Sequence, residues 1–182
     1  MRLLLRVYEL LSRLKELRRT GWVERGVKEA ESVASHSYSV VFLTVLLADL
    51  RGIDVGEAAR MALLHDLPEA VLGDLTPRMK KSMPSLEERE REVVESLAKN
   101  LPPRVAELWL RAWSRYQRGE GKAAKLVREV DKLEMGLQAA CYAERYGAER
   151  LQDIYQTAWK MVRDPELRRV LEEAWSRRRP LL

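Results

Sequence analysis

Only two histidines occur in this chain of 182 residues, and both fall where a helical pattern would place a core residue. An apolar stripe at helical spacing runs back from Leu47 through Leu43 and Val40, and four residues earlier it reaches His36. A second stripe, on the next predicted helix, ends at His65. An imidazole directed into a core is either held there by a hydrogen bond or serves as a metal ligand.

Two aspartates accompany these histidines. Asp66 follows His65 directly, and because Pro68 ends the helix just beyond them, the backbone can turn both side chains toward one point. Asp131 lies on the flank of the apolar seam of a third predicted helix. Each aspartate also has an ordinary role, as a cap for the next helix or as a surface acid beside Lys132. A buried carboxylate is costly unless a cation neutralises it, however, and one divalent metal would satisfy all four side chains.

Two further acids follow the histidine–aspartate pair. Glu69 lies three residues beyond Asp66, where it could orient or deprotonate a water molecule at a metal. Asp74 comes five residues later, where it could protonate a leaving oxygen or hold a substrate. The alternatives are that Glu69 complements a helix dipole and that Asp74 caps a turn before Thr76.

Helical periodicity and capping residues predict an all-α fold, a single domain over residues 1–182 with about eight to nine helices around the central metal site. The segment from Asp74 to Pro84 is rich in helix breakers and is predicted to be a loop. Ser85 and Glu88 are predicted to form a capping box for the helix that follows. Trp22 lies in a connecting segment, where it could stack on a nucleoside or cover the core.

Composition limits the partners. The net charge of +5 comes from 33 basic and 28 acidic residues, which are interspersed along the chain. This balance suits an anionic substrate but is too weak to indicate nucleic acid, which only the run Arg177–Arg178–Arg179 favours. The single cysteine, Cys141, cannot form an internal disulfide, so we expect a cytoplasmic protein. The longest apolar stretch, Val40 to Ala48, is predicted to be too short to span a membrane.

Four segments together resemble the HD-domain metal-dependent phosphohydrolases, and most of all their 5′-deoxynucleotidase branch. They are RTGW (19–22), ESVASHS (31–37), HDLPEAVLGDLTP (65–77) and KLVREVDKLEMGLQA (125–139). The resemblance implies an HD core over about residues 30–145, with C-terminal helices over 148–178 packed on it. It also implies that the 5′-phosphate of (deoxy)nucleoside monophosphates is removed by attack of a metal-activated water. Members use Co²⁺, Mn²⁺ or Zn²⁺, with Mg²⁺ a further possibility, and commonly form homodimers.

The resemblance also assigns roles to individual residues. The metal ligands it implies are His36, His65, Asp66 and Asp131, and the acids at the reacting phosphate are Glu69 and Asp74. Arg19 and Trp22 match residues that approach the phosphate and the sugar. The phosphate could instead be held by Arg18 or Arg25, and Lys132 could offset phosphate charge or lie in solvent.

Two other functions fit the same residues. The first is an HD-type hydrolase of another nucleotide, such as a cyclic nucleotide, an alarmone or a deoxynucleoside triphosphate. The second is a non-catalytic nucleotide-binding module that keeps the metal as a structural element. The two acids at positions 69 and 74 argue against the second, because a structural metal needs no additional carboxylates.

Overall fold

The computed structural model describes residues 2–177 of the chain. These residues form eleven helices joined by short connections, and they contain no strand. The all-α prediction is confirmed, and eight of the helices have ten or more residues. In chain order the helices are α1 (Arg2–Glu16), α2 (Thr20–Val23), α3 (Val33–Arg51), α4 (Val55–Leu64), α5 (Glu69–Leu72), α6 (Pro77–Ser82), α7 (Leu86–Ala98), α8 (Pro103–Arg118), α9 (Gly121–Tyr146), α10 (Ala148–Met161) and α11 (Pro165–Arg177).

Side-chain caps set several of the helix starts. Ser32 accepts a hydrogen bond from the backbone N–H of Ser35 at 3.1 Å at the start of α3, and Asp54 does the same for α4. Asp164 caps α11 by accepting from the backbone N–H groups of Glu166 and Leu167. Each of these caps satisfies N–H groups that the first turn of a helix leaves without an intrahelical partner.

Two local predictions were wrong. The predicted loop contains α6, because Thr76 caps it by accepting from the Met79 N–H and Pro77 supplies a favourable first residue. The predicted capping box at Ser85 does not form, since this residue has a positive φ of 54° and its side chain makes no cap hydrogen bond.

The long helix α9 is the centre of the fold. Its N-terminal half packs with α3, α4, α7 and α8 in one hydrophobic cluster, and its C-terminal half packs against the α2 region, α10 and α11. Gly136 lies where α9 meets the last two helices. A Cβ atom there would be 2.8 Å from the Ala158 Cβ and 2.6 Å from the Leu171 Cδ2, so glycine permits the close approach.

Helix α3 buries one face and exposes the other. Its buried face is Val33, His36, Val40, Thr44 and Ala48, while the predicted core residues Leu43 and Leu47 are half-buried beside it. Among residues 2–177, α3 is also the one helix long and apolar enough to cross a membrane by length and composition, so the prediction of a shorter stretch was wrong. The buried face of α3 packs against α4 and α9.

Candidate metal centre

Four side chains from three parts of the chain meet in the interior. His36 lies near the start of α3, His65 and Asp66 directly follow α4, and Asp131 lies in the middle of α9. The His36 Nε2 atom lies 3.4 Å from the Asp131 Oδ1 and 3.5 Å from the Asp66 Oδ2. The His65 Nε2 atom lies 3.2 Å from the same Asp66 oxygen and 3.5 Å from the His36 Nε2.

These separations match a donor set for one cation. Zinc and similar ions bind imidazole nitrogen and carboxylate oxygen at about 2.0–2.2 Å, so two ligands at a tetrahedral angle lie about 3.4 Å apart. The residues therefore fit a divalent metal. Within residues 2–177, His36, His65 and Asp131 form one of the two groups whose ligand atoms lie close enough together to hold a metal ion.

The far nitrogen of each imidazole has its own partner. The His65 Nδ1 lies 2.7 Å from the carbonyl oxygen of Ala62, and the His36 Nδ1 lies 2.5 Å from the Glu134 Oε2. Both partners are hydrogen-bond acceptors, so each Nδ1–H donates outward and each Nε2 faces the shared centre. Glu134 was not identified from the sequence.

Burial and neighbouring charges shift the pKa values of these groups. Burial raises the pKa of Asp66, but the neighbouring His65, Arg19 and His36 outweigh it and hold that pKa below its usual range. Burial and the charge of Arg19 lower the pKa of His36, but Glu134 and Asp131 outweigh them and raise that pKa to about 10. Without a metal, His36 therefore carries a proton that an incoming cation must displace.

Glu69 has a buried carboxylate oxygen with no partner. The residue is 8% exposed, and its Oε2 makes no hydrogen bond to any other described residue. Its Oε1 lies 3.9 Å from the Nζ of Lys80, a residue of α6 that the sequence did not single out. Burial, followed by the charges of Asp66 and Asp74, raises the pKa of Glu69 to about 10. An unsatisfied buried oxygen is costly, so it marks a position that a water, cation or substrate would complete.

Asp74 and Arg19 close the site from the side of α2. The Asp74 carboxylate accepts from the backbone N–H of Thr20, and the Thr20 hydroxyl donates to the Asp74 carbonyl at 2.8 Å. The Arg19 Nη1 lies 3.2 Å from the Asp66 Oδ2 and 3.8 Å from the Asp74 Oδ1. The hydrogen bonds between Thr20 and Asp74 thus hold the guanidinium against the candidate ligands.

The other arginines considered from the sequence point elsewhere. Arg18 donates to the carbonyl of Ala30 at 2.8 Å, and Arg25 pairs with Asp153. The structure therefore brings Arg19, and not these two, to the site. Lys132 also lies at its edge, with its Nζ 2.8 Å from the Asp131 Oδ2.

Trp22 does not lie at an open surface. It is 2% exposed, its ring packs edge-on against Tyr142, and its Nε1 donates to the Glu31 Oε1 at 3.0 Å. The indole faces are thus occupied by the protein. Stacking on a nucleoside would require the packing of the α2 region against α9 and α10 to open. The structure favours the alternative in which Trp22 covers the core.

The all-α fold and the cluster of two histidines and two aspartates in its interior are typical of helical metal-dependent proteins. The known proteins that this chain resembles belong to such a class. The HD-domain family model matches residues 11–175, and the chain belongs to the HD-domain family. The human protein named 5′-deoxynucleotidase HDDC2 is 31% identical over 94% of this chain and 84% of its own length. The Schizosaccharomyces pombe protein named 5′-deoxynucleotidase hdd1 is 32% identical over 86% of this chain and 81% of its own length.

A solved structure has the same fold. The crystal structure of the PH0347 protein from Pyrococcus horikoshii OT3 superimposes with a TM-score of 0.73 and 35% sequence identity. The alignment covers 93% of this chain and 96% of that one, so the similarity extends over nearly the whole helical domain.

Proposed function

We propose that this protein is a metal-dependent phosphohydrolase that removes the 5′-phosphate from deoxynucleoside monophosphates. The observation that carries the proposal is the convergence of His36, His65, Asp66 and Asp131 beside the unpartnered Oε2 of Glu69. Four of the six pairs of donor atoms lie 3.2–3.5 Å apart. The substrate class rests on the two relatives named 5′-deoxynucleotidases, which the chain matches over most of its length.

The four residues would hold one divalent cation. A cation bound there supplies Lewis acidity toward a phosphoryl oxygen and lowers the pKa of a water molecule. Imidazole nitrogen favours zinc and cobalt, and carboxylate oxygen favours manganese and magnesium. The mixed donor set therefore supports Co²⁺, Mn²⁺ or Zn²⁺ over Mg²⁺, which rarely takes imidazole ligands.

The remaining polar groups would act on the phosphate and on protons. Arg19 is positioned to bind a phosphoryl oxygen, because its guanidinium already contacts the ligand Asp66. The positive charge of a bound cation would lower the raised pKa of Glu69, and the carboxylate would then accept the proton of the attacking water through its unpartnered oxygen. Attack on phosphorus would break the bond to the 5′-oxygen, and Asp74, whose Oδ1 lies 3.8 Å from the Arg19 Nη1, would donate a proton to that leaving oxygen. Lys132 would offset phosphate charge from the edge of the site.

The exposed face of α3 supports a homodimer. We define this apolar face as Tyr38, Phe42, Leu46 and Leu50, which follow one another at intervals of four residues and are 48–73% exposed. Such a continuous apolar surface is unusual on a monomeric protein. A second copy of the chain is the occupant we propose for it, and sedimentation in solution measures the association directly.

The boundaries and location of the enzyme are also proposals. An HD core over about residues 30–145 would carry the four ligands. The C-terminal helices over residues 148–178 would pack against the C-terminal half of α9, where Gly136 permits close packing. The lone Cys141 suits a reducing cytoplasm. The last two arginines of the run considered for nucleic acid lie outside the described residues.

A substrate panel tests the proposed function. The protein, freed of metal and reloaded with Co²⁺, Mn²⁺, Zn²⁺ or Mg²⁺, is assayed for phosphate release from deoxynucleoside and ribonucleoside 5′-monophosphates, 3′-monophosphates and a deoxynucleoside triphosphate. We expect release from the deoxynucleoside 5′-monophosphates, with Co²⁺, Mn²⁺ or Zn²⁺ more effective than Mg²⁺. No release from any 5′-monophosphate with any of these metals would refute the proposal.

A further inference from the structure

We propose that Glu134 is a positioning residue for the metal centre, and that it acts by fixing the orientation and charge of the His36 imidazole. The inference rests on the proposed metal site and adds a residue to it that does not itself contact the metal. The carrying observation is the 2.5 Å separation between the His36 Nδ1 and the Glu134 Oε2, in a location where the two side chains are 0% and 6% exposed.

One face of α9 supplies both contacts to His36. Asp131 and Glu134 are three residues apart, so they project from the same side of the helix. The Asp131 Oδ1 lies 3.4 Å from the Nε2 of His36, and Glu134 binds the Nδ1 at the opposite edge of the ring. A rotation of the imidazole would therefore break a buried, charged hydrogen bond, which is worth more than a neutral one.

The two histidines are fixed by different means. His65 donates to a backbone carbonyl, that of Ala62, which no side-chain substitution removes. His36 depends on a carboxylate, which fixes its tautomer and also increases the basicity of its ligand nitrogen. Glu134 is thus a place where metal affinity can be changed without altering any of the four proposed ligands.

A second carboxylate, that of the half-buried Glu31, lies close to this contact. Ligand atoms of Glu31, His36 and Glu134 all lie within 4.8 Å of one another. Glu31 is held by the Trp22 Nε1, and its backbone N–H donates to the Tyr142 hydroxyl at 2.8 Å. Trp22 therefore holds Glu31 beside the contact between His36 and Glu134. This gives the buried tryptophan a structural role at the metal centre that differs from contact with a nucleoside.

Metal titration of three variants tests the proposal. Glu134→Ala removes the hydrogen bond and the charge, Glu134→Gln keeps an acceptor oxygen without the charge, and Glu144→Ala changes an exposed acid on the same helix as a matched control. Metal-free protein is titrated with Co²⁺ by calorimetry and by the absorption of the bound ion, and thermal unfolding is recorded without metal. We expect the Co²⁺ dissociation constant to rise about 10- to 100-fold for Glu134→Ala, as for other residues that orient metal-bound histidines.

The remaining outcomes are also informative. Glu134→Gln is expected to bind Co²⁺ less tightly than the wild type and more tightly than Glu134→Ala, and Glu144→Ala is expected to match the wild type. An unchanged dissociation constant for Glu134→Ala, whatever its thermal stability, would overturn the proposal. If Glu134→Ala does not fold, wild-type affinity in Glu134→Gln would overturn it as well. Wild-type protein that binds Co²⁺ but releases no phosphate would refute only the proposed function, whereas wild-type protein that binds no Co²⁺ would refute both.

Discussion

Replacing Glu69 with glutamine is expected to reduce turnover by several orders of magnitude and, at the same time, to stabilise the metal-free protein. The side chain is buried, one of its oxygens has no partner, and burial together with Asp66 and Asp74 raises its pKa from 4.5 to about 10. Such a site is suited to proton transfer but is unfavourable for folding, because the folded chain keeps a proton that the unfolded chain releases near neutral pH.

The magnitude follows from the pKa difference. Between the unfolded value of 4.5 and pH 7, the folded state loses about 1.4 kcal/mol of stability per pH unit, or about 3 kcal/mol in total. The raised pKa of this acid means that wild-type stability falls as the pH rises through this window. A glutamine amide has its own unmet hydrogen bonds, at about 1 kcal/mol, so the net gain at pH 7 is about 2 kcal/mol. For a chain of this length that is an increase in Tm of about 4–8 °C.

Two assays test this prediction. Thermal unfolding of wild type and Glu69→Gln is measured in excess chelator from pH 5 to pH 8, and we expect the difference in Tm to grow as the pH rises. Phosphate release with metal is expected to fall about 10²- to 10⁴-fold, the usual loss for a general base. A pH-independent difference in Tm would refute the assignment of a raised pKa, and turnover within tenfold of the wild type would refute the role in proton transfer.

Two further predictions concern packing and the edge of the site. Gly136→Ala should lower Tm by about 2–4 °C, because overpacking of about 1–3 kcal/mol exceeds the gain of about 0.5–1 kcal/mol in helix propensity. Gly56→Ala, where a Cβ would have no contact closer than 3.4 Å, should leave Tm unchanged or raise it, and a decrease for both variants would contradict the packing argument. Lys80→Met should reduce kcat/KM about two- to fivefold, as expected for loss of a charge contact of about 0.5–1 kcal/mol at an exposed residue. Lys81→Met, its exposed neighbour, should match the wild type, and equal kinetics for both lysine variants would exclude Lys80 from the site.

The sequence predicted the positions of the four converging residues because their spacing obeys helix geometry. His36 continues an apolar stripe by one helical turn, and Pro68 explains how His65 and Asp66 can point to one place. The all-α fold followed from the same periodicity, and the structure confirms it. Periodicity could not give distances between helices, which are set by the packing of α3, α4 and α9.

The residues around this centre were harder to predict because their partners are distant in sequence. Glu134 lies in a charged helix next to a core leucine, and only its interval of three residues from Asp131 could have indicated a shared face. Trp22 was linked to the substrate by resemblance, but its burial depends on Tyr142, 120 positions along the chain. Helix α6 was not predicted because the helix-breaking residues at its ends indicate a loop. In the structure they flank a short helix with an N-terminal cap.

The central claim is that His36, His65, Asp66 and Asp131 bind a single cation. A crystal of the protein grown with Mn²⁺ or Co²⁺, with data collected at the absorption edge of that metal, locates the ion directly. We expect one anomalous peak about 2.0–2.3 Å from both Nε2 atoms and from one oxygen of each aspartate. A peak elsewhere in the protein, or one within bonding distance of only one of these four side chains, would contradict the account.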